Sequence, residues 1–366
     1  MPIFFPDYEN CSVNLIASIS QYCGLAPRHK THPYLDALLQ KKAYQNIILM
    51  LFDGMGMDML EKTLPEDAFL RKALCHPLSS VYPSTTTCAT TAIETGMMPC
   101  EHAWLGWTLY FHQIDKLVDV YTNRTDTNEI AADYYVGERF IPRQFIYPKI
   151  TACGKYKACS VSFYGDVKIK TLPELFENVL SLAKDHEKRY IYTYWPEPDS
   201  TMHKKGCYHE KSAATLLDIN DRVEKLAAQL PEDTLLLLTA DHGLTDSKTV
   251  YLENYPDLMA MLTHDSTMEL RAVSFHVKPE CKELFPAAFR KHFGDHFLLV
   301  DQKAFIRDYL GPGSVRPNVY DFVGDYVALS TDELTIMNHP GPMHLIGNHA
   351  GLTKAEMEVP LIVAKE

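Results

Sequence analysis

The sequence predicts an α/β fold: a mostly parallel central sheet sandwiched by helices, with a small inserted α+β subdomain. Three observations carry this reading. Short, almost continuous apolar runs recur along the chain, helical patterns separate them, and several of the runs end on Asp or His. Continuous apolar strands are the ones covered on both faces, and their alternation with helices is the pattern of a parallel sheet.

The elements follow in order. "NIILMLFDG" (Asn46 to Gly54) reads as a buried strand from its length and its Ile/Leu content. "VYPSTTTCATTAIETG" (Val81 to Gly96) opens on a Tyr-Pro turn, runs through the hydroxyls of Ser84, Thr85, Thr86 and Thr87, and then turns helical up to Gly96. β-branched residues suit strands better than helices, so threonines at the mouth of a helix call for another reason. "TLPELFENVLSLAKDHEK" carries Leu172, Leu175, Phe176 and Leu180 at helical spacing. "RYIYTYWPEPD" (Arg189 to Asp199) and "TLLLLTADHG" (Thr234 to Gly243) read as strands, with the helical "SAATLLDINDRVEKLAAQL" between them, and "VPLIVAKE" supplies the last strand. The whole chain, 1–366, reads as one domain. Residues 100–155, polar and rich in Tyr and Trp, read as a substrate-side flap. Residues 265–325, with the alternating pieces "RAVSFHVK" and "HFLLVD" and a Gly-Pro-Gly turn at Gly311 to Gly313, read as the small inserted subdomain.

Composition narrows the function. With 366 residues, 46% of them apolar, the chain can bury the core of one large domain. A net charge of −12 without a basic run argues against a nucleic-acid polymer or a membrane surface as partner. It does not argue against a small anionic substrate, because bound metal ions invert the local field. Nine cysteines, an odd number with no C-x-x-C pair, fit free thiols in a reducing compartment. "MPIFFPDYEN" lacks the basic and apolar regions of a signal peptide, and no apolar run reaches the roughly 18 residues of a membrane span. The sequons at Asn10 and Asn123 carry little weight without secretion. The expectation is a soluble cytoplasmic protein; no sequence feature addresses its oligomeric state.

The polar residues at strand ends are ambiguous one at a time. Asp53, before Gly-Met-Gly, could simply cap a helix. Asp241-His242-Gly243 could be a cap beside a satisfied histidine, and His349 a loop histidine. Asp199 and His203, four residues apart, can face one point. Taken together, three Asp and three His at the carboxyl ends of strands, where α/β sheets gather ligands, supply oxygen and nitrogen donors for two divalent metals. A threonine at a helix N-terminus, where free N–H groups hold an anion, then has its reason. The chemistry such a site suits is in-line displacement at phosphorus.

The set Asp53, "PSTTTCATTAIETG", Asp199-x3-His203-x2-Gly206, Asp241-His242-Gly243 and His349-Ala-Gly resembles the alkaline phosphatase superfamily, and within it the type I phosphodiesterase/nucleotide pyrophosphatases and their bacterial cytoplasmic relatives. The resemblance runs from about Asn46 to Val363. It implies an alkaline-phosphatase-like fold and two metal ions, zinc by the mixed N/O donors, with manganese the alternative. One metal would sit on Asp199, His203 and His349. The other would sit on Asp53, Asp241, His242 and the oxygen of the nucleophile, which the resemblance puts at Thr86, with Thr85 as the fallback. It further implies a two-step hydrolysis of a small phosphate ester, a nucleotide among the candidates, through a threonine phospho-enzyme. At Ala89 the chain departs from nucleotide-cleaving members, which carry Asn there. A phosphomonoesterase or a phosphonate-type hydrolase with the same site is the alternative. A phosphomutase is disfavoured by the short stretch after Gly96, and a non-catalytic metal-binding relative by the complete set of ligands.

Trp104, Trp107, Tyr110 and Phe111 could stack a flat group or pack a flap. His102 is expected to be structural. Trp195 and Glu197 could line the site, and Lys204 and Lys205 could meet a phosphate or form a solvated face.

Overall fold

The protein is described by a computed structural model over residues 3–341 and 345–366. Its central sheet has seven strands, in the order Leu74–Ser79, Glu358–Lys365, Thr234–Thr239, Asn46–Phe52, Arg189–Trp195, Lys157–Ser162 and Val167–Lys168. Asn46–Phe52 lies in the middle, paired in parallel with Arg189–Trp195 on one side and Thr234–Thr239 on the other. All seven of its residues are buried, which is why its sequence is apolar without alternation. The C-terminal strand Glu358–Lys365 runs antiparallel to both of its neighbours. The reason lies in the route of the chain. The loop bearing His349 is already at the carboxyl edge of the parallel strands, so the strand that follows must run back from that edge.

Helices cover the sheet. Leu172–Ala183 buries Leu172, Leu175, Val179 and Ala183, at roughly 1.5–3 kcal/mol for each large aliphatic side chain fully removed from water. It is started by Thr171, whose hydroxyl accepts from the Glu174 N–H at 3.4 Å, while Glu174 Oε2 accepts from the Lys170 N–H at 2.7 Å. Glu210–Gln229 buries Leu216, Ile219, Val223 and Leu226 in the same way.

A second sheet of six antiparallel strands lies beyond the first, in the order Phe297–Asp301, Tyr326–Ser330, Ala272–Phe275, Thr267–Met268, Thr108–Phe111 and Lys116–Asp119. The two stretches that looked unlike the α/β pattern therefore meet: the hairpin 108–119 joins the strands of 267–330, through the pairing of Met268 with Thr108. The seam between this sheet and the His349 loop holds a buried ion pair. Arg271 donates to Glu356 through Nε at 2.6 Å and Nη2 at 2.9 Å, and both side chains are fully buried. Arg271 also donates to the Leu334 carbonyl at 3.0 Å and to the Asp332 carbonyl. Glu356 also accepts from the Gly351 N–H at 2.7 Å and the Thr353 hydroxyl at 2.6 Å.

Candidate active site

The parallel strands end where the acidic and imidazole groups collect. Asp53 directly follows Asn46–Phe52, and Asp241-His242 follows Thr234–Thr239. Asp199 opens the helix Asp199–Lys205, on which it and His203 share a face one turn apart. The backbone ties these segments together, with the Asp199 N–H on the Asp53 carbonyl at 3.0 Å. Gly54 has φ +71°, and a Cβ on it would lie 2.9 Å from the Cβ of Asp199, so only glycine lets the two loops approach this closely.

The hydroxyl run becomes the start of the helix Thr86–Thr95, which closes on Gly96 at φ +64°. Its first intrahelical bond runs from Ala89 N–H to the Thr85 carbonyl, so the amides of Thr86, Thr87 and Cys88 lie ahead of it in the ladder. Thr86 is 8% exposed. Its Oγ1 lies 3.3 and 3.5 Å from the carboxylate oxygens of Asp53 and 3.2 Å from His242 Nε2. His242 Nε2 is in turn 3.5 Å from both Asp53 Oδ1 and Asp241 Oδ2. On the other side, His203 Nε2 lies 3.2 Å from Asp199 Oδ1. The His349 ring lies 5.2 Å from the ring of His203 and 4.0 Å from that of His242, centre to centre. The seven residues singled out in the sequence thus converge on one point.

Several features of the cluster suit cations. Among the described residues, two groups offer ligand atoms mutually within 4.8 Å: Asp199 with His203 and His349, and Asp53 with Asp199 and His242. Asp199 belongs to both, a bridging position that its place in the sequence did not suggest. Asp241 Oδ1 is occupied by the N–H groups of Gly54 at 3.1 Å and His242 at 3.0 Å. Asp241 Oδ2 and His349 Nδ1 are buried with no hydrogen-bond partner, and buried polar atoms are seldom left so. The histidines are oriented from behind. His203 Nδ1 meets the Gly347 carbonyl at 2.7 Å and His242 Nδ1 the Gly243 carbonyl at 3.1 Å. A carbonyl only accepts, so those nitrogens carry the protons and each Nε2 is left as a donor pair for a metal.

The protonation equilibria carry the same crowding. Burial, then the charges of Asp241 and Asp199, push the Asp53 carboxyl well above the usual carboxylate range. Burial also raises Asp241. Burial would raise Asp199 as well, but the neighbouring His203 outweighs it and the net shift is downward. His203 is carried the opposite way: burial opposes its charge, yet the Asp199 carboxylate lifts it to about 9. Burial and the neighbouring His242 and His203 hold His349 well below the ordinary histidine value. A bound divalent cation would offset the crowding of these carboxylates.

Two residues at this site were not singled out in the sequence. The Tyr194 hydroxyl donates to Asp53 Oδ2 at 2.5 Å; it sits in the tyrosine-rich strand before Asp199, where alternation was the only signal. Glu269 is buried beside Thr85, whose hydroxyl donates to its Oε1 at 2.6 Å, as does the Trp107 N–H at 2.7 Å. Burial lifts Glu269 to about 7, although both donors pull it down. In the aromatic stretch after the Thr86 helix, Trp104 and Phe111 are core, while Trp107 is 40% exposed. Tyr110 stacks on His264 with ring centres 4.3 Å apart. His102 is buried and accepts from the Trp104 N–H at 3.0 Å. Glu197 accepts from the Thr201 N–H, and Trp195 stacks on Phe163. Lys204 and Lys205 line a surface cleft with Lys211 on the outer side of their helix. Ala89 is fully buried and has no side-chain donor to offer a phosphoryl oxygen.

Comparison with known proteins agrees with the fold. Murine and human ectonucleotide pyrophosphatase/phosphodiesterase 5 each superpose with a TM-score of 0.64 at 15% identity, over 86% of this chain and 87% of theirs. An inactive variant of the murine protein in complex with AMP gives the same TM-score at 14% identity, over 87% of each chain. No curated protein matches the sequence. The family model described as type I phosphodiesterase/nucleotide pyrophosphatase matches residues 47–351, from the central strand to the loop of His349. A match of that length shows that the chain belongs to this family of phosphoester hydrolases.

Proposed function

We propose that the protein is a two-metal phosphodiesterase that cleaves a small phosphate ester through Thr86. One observation carries the reading: the Thr86 hydroxyl stands at the open end of a helix, 3.2 Å from His242 Nε2 and 3.3 Å from Asp53 Oδ2. Asp199, His203 and His349 would hold one metal. Asp53, Asp241, His242 and Thr86 would hold the other, with Asp199 near enough to reach both. Zinc suits this mixture of carboxylate and imidazole donors, with manganese second. Bound divalent metals lower the pKa of coordinated hydroxyls and neutralise phosphoryl charge.

The chain's own groups then account for the rest. The free N–H groups at the start of the Thr86 helix face the phosphoryl oxygens. Thr86 Oγ forms a bond to phosphorus as the bond to the departing alcohol oxygen breaks, and that oxygen leaves with a proton. Water then adds to phosphorus on the opposite side of the Thr86 ester, releasing the threonine hydroxyl and a phosphate monoester. Tyr194, bonded to Asp53, fixes that carboxylate in place. The AMP bound by the murine relative supports a small phosphoester as substrate. Nine unpaired cysteines support a reducing compartment.

The test is a comparison of nitrophenyl phosphodiester and phosphomonoester hydrolysis by zinc- and manganese-loaded protein, with Thr86→Ala alongside. The expected result is diester hydrolysis lost in the variant at unchanged metal content. Activity surviving in Thr86→Ala would overturn the nucleophile. A monoester preference would favour a phosphomonoesterase, the reading to which Ala89 points.

A further inference from the structure

The second sheet carries a pair of histidines that the phosphoester chemistry does not use. His264 lies just ahead of the strand Thr267–Met268, and His276 directly follows Ala272–Phe275. Leu262 and Val277 pair antiparallel, and the Thr263 N–H donates to the His276 carbonyl at 2.9 Å, so the two histidines come side by side. Their ring centres are 4.6 Å apart. Tyr110, from the adjoining strand Thr108–Phe111, packs on His264 and meets His276 edge-on at 6.1 Å.

Hydrogen bonds fix the tautomer of each ring. His264 Nδ1 meets the Asp265 carbonyl at 2.7 Å, and His276 Nε2 meets the Asp321 carbonyl at 3.1 Å. A carbonyl only accepts, so these nitrogens carry the protons. The remaining nitrogens, His264 Nε2 and His276 Nδ1, each offer a lone pair, and both are enclosed without a hydrogen-bond partner. Buried polar atoms are seldom left so. A second proton is not the remedy, because burial and the neighbouring His264 push His276 below the ordinary histidine value.

The arrangement repeats that of the carboxyl edge. There a backbone carbonyl takes the Nδ1 proton of His203 and of His242 and leaves Nε2 as a donor. The spacing agrees as well: 4.6 Å lies between the 4.0 and 5.2 Å that separate the His349 ring from those of His242 and His203. His102 is the contrast. Its Nδ1 accepts from the Trp104 N–H, so its enclosed Nε2 carries the proton and has no lone pair to give.

We propose that His264 Nε2 and His276 Nδ1 together bind one zinc ion, separate from the phosphoester site. Imidazole nitrogens suit zinc, whereas magnesium and calcium take oxygen ligands. Water supplies the remaining ligands from the cleft of about 350 Å³ that Tyr110 and His276 line. The ion joins the two sides of the 262–277 pair beside Tyr110, and so braces the second sheet where the 108–119 hairpin meets it.

Zinc content after equilibrium dialysis tests the proposal, with His264→Phe and His276→Phe, which keep a ring in the stack, beside the wild type. Each variant is expected to hold one zinc fewer than the wild type, and excess magnesium should not displace that ion. The readout is a difference between proteins, so it stands whatever the carboxyl edge holds and whether or not the protein hydrolyses a diester. Equal zinc content in all three proteins would overturn the proposal. Loss in only one variant would do the same, since the two nitrogens would then not share an ion. Zinc-soaked crystals of the wild type decide the matter if a variant fails to fold. An anomalous peak roughly 2.0–2.1 Å from both nitrogens is expected, and its absence sinks the idea.

Discussion

Two clusters of buried charge lie near each other and differ in kind. At the seam between the sheets, Arg271 and Glu356 pair through two hydrogen bonds, and backbone groups and the Thr353 hydroxyl take up further capacity. At the carboxyl edge, Asp53, Asp199 and Asp241 crowd three carboxylates around three imidazoles, with Asp241 Oδ2 and His349 Nδ1 left without partners. Both cost desolvation. The first is completed by the chain itself and serves structure. The second is completed only from outside, and that difference is what separates a site from a brace.

The sharpest way to press the contrast is Thr86→Ala. Turnover should fall roughly a thousandfold or more, as for loss of a nucleophile, while metal content and Tm stay near wild type; assay with metal analysis checks it. Next is Glu356→Gln, which leaves the Arg271 guanidinium buried and uncompensated. Unfolding free energy should drop by about 3–5 kcal/mol, with or without metal, as read by urea denaturation. The carboxyl edge should respond with the opposite sign. In metal-free protein, Asp53→Asn relieves like-charge repulsion and should raise stability by about 1 kcal/mol. Added zinc should then stabilise the wild type more than the variant, by thermal melting. A metal-free Asp53→Asn protein less stable than wild type would break the comparison.

Glu94 is the intermediate case, a half-buried carboxyl with Arg143 nearby and the Tyr147 hydroxyl 3.1 Å away. Burial lifts it from 4.5 to about 7. Its folded pKa lies above the unfolded one, so its contribution is fully present below pH 4.5 and is lost as pH rises through about 7. Glu94→Gln should remove that slope. The Tm difference between variant and wild type should grow by a few degrees from pH 4.5 to 7 and level off above.

Four strands of the central sheet and the metal-ligand candidates of the carboxyl edge were legible because local sequence determines them, whereas the outer strands Leu74–Ser79, Lys157–Ser162 and Val167–Lys168 were not. Asn46–Phe52 is apolar throughout, since both of its faces are covered, and it ends abruptly on Asp53. Asp199 and His203 are one turn apart on a single helix. The helix that the hydroxyl run opens ends at Gly96, which takes the left-handed conformation that stops it. The second sheet was not legible as a unit. Its strands are two to five residues long and come from stretches about 150 residues apart, so no window of sequence holds the pattern. Glu269 was missed for the same reason: its partners Thr85 and Trp107 are more than 150 positions away. Tyr194 looked like one more strand tyrosine, and only the position of Asp53 on the neighbouring strand gives its hydroxyl a task.

The pairing of Met268 with Thr108 has an evolutionary consequence. The candidate metal ligands of the carboxyl edge all belong to the first sheet and its loops, whereas Glu269 and Trp107 flank the junction of two short strands in the second. Substitutions or insertions in the 108–119 hairpin can therefore reshape the second sheet without displacing any of those ligands.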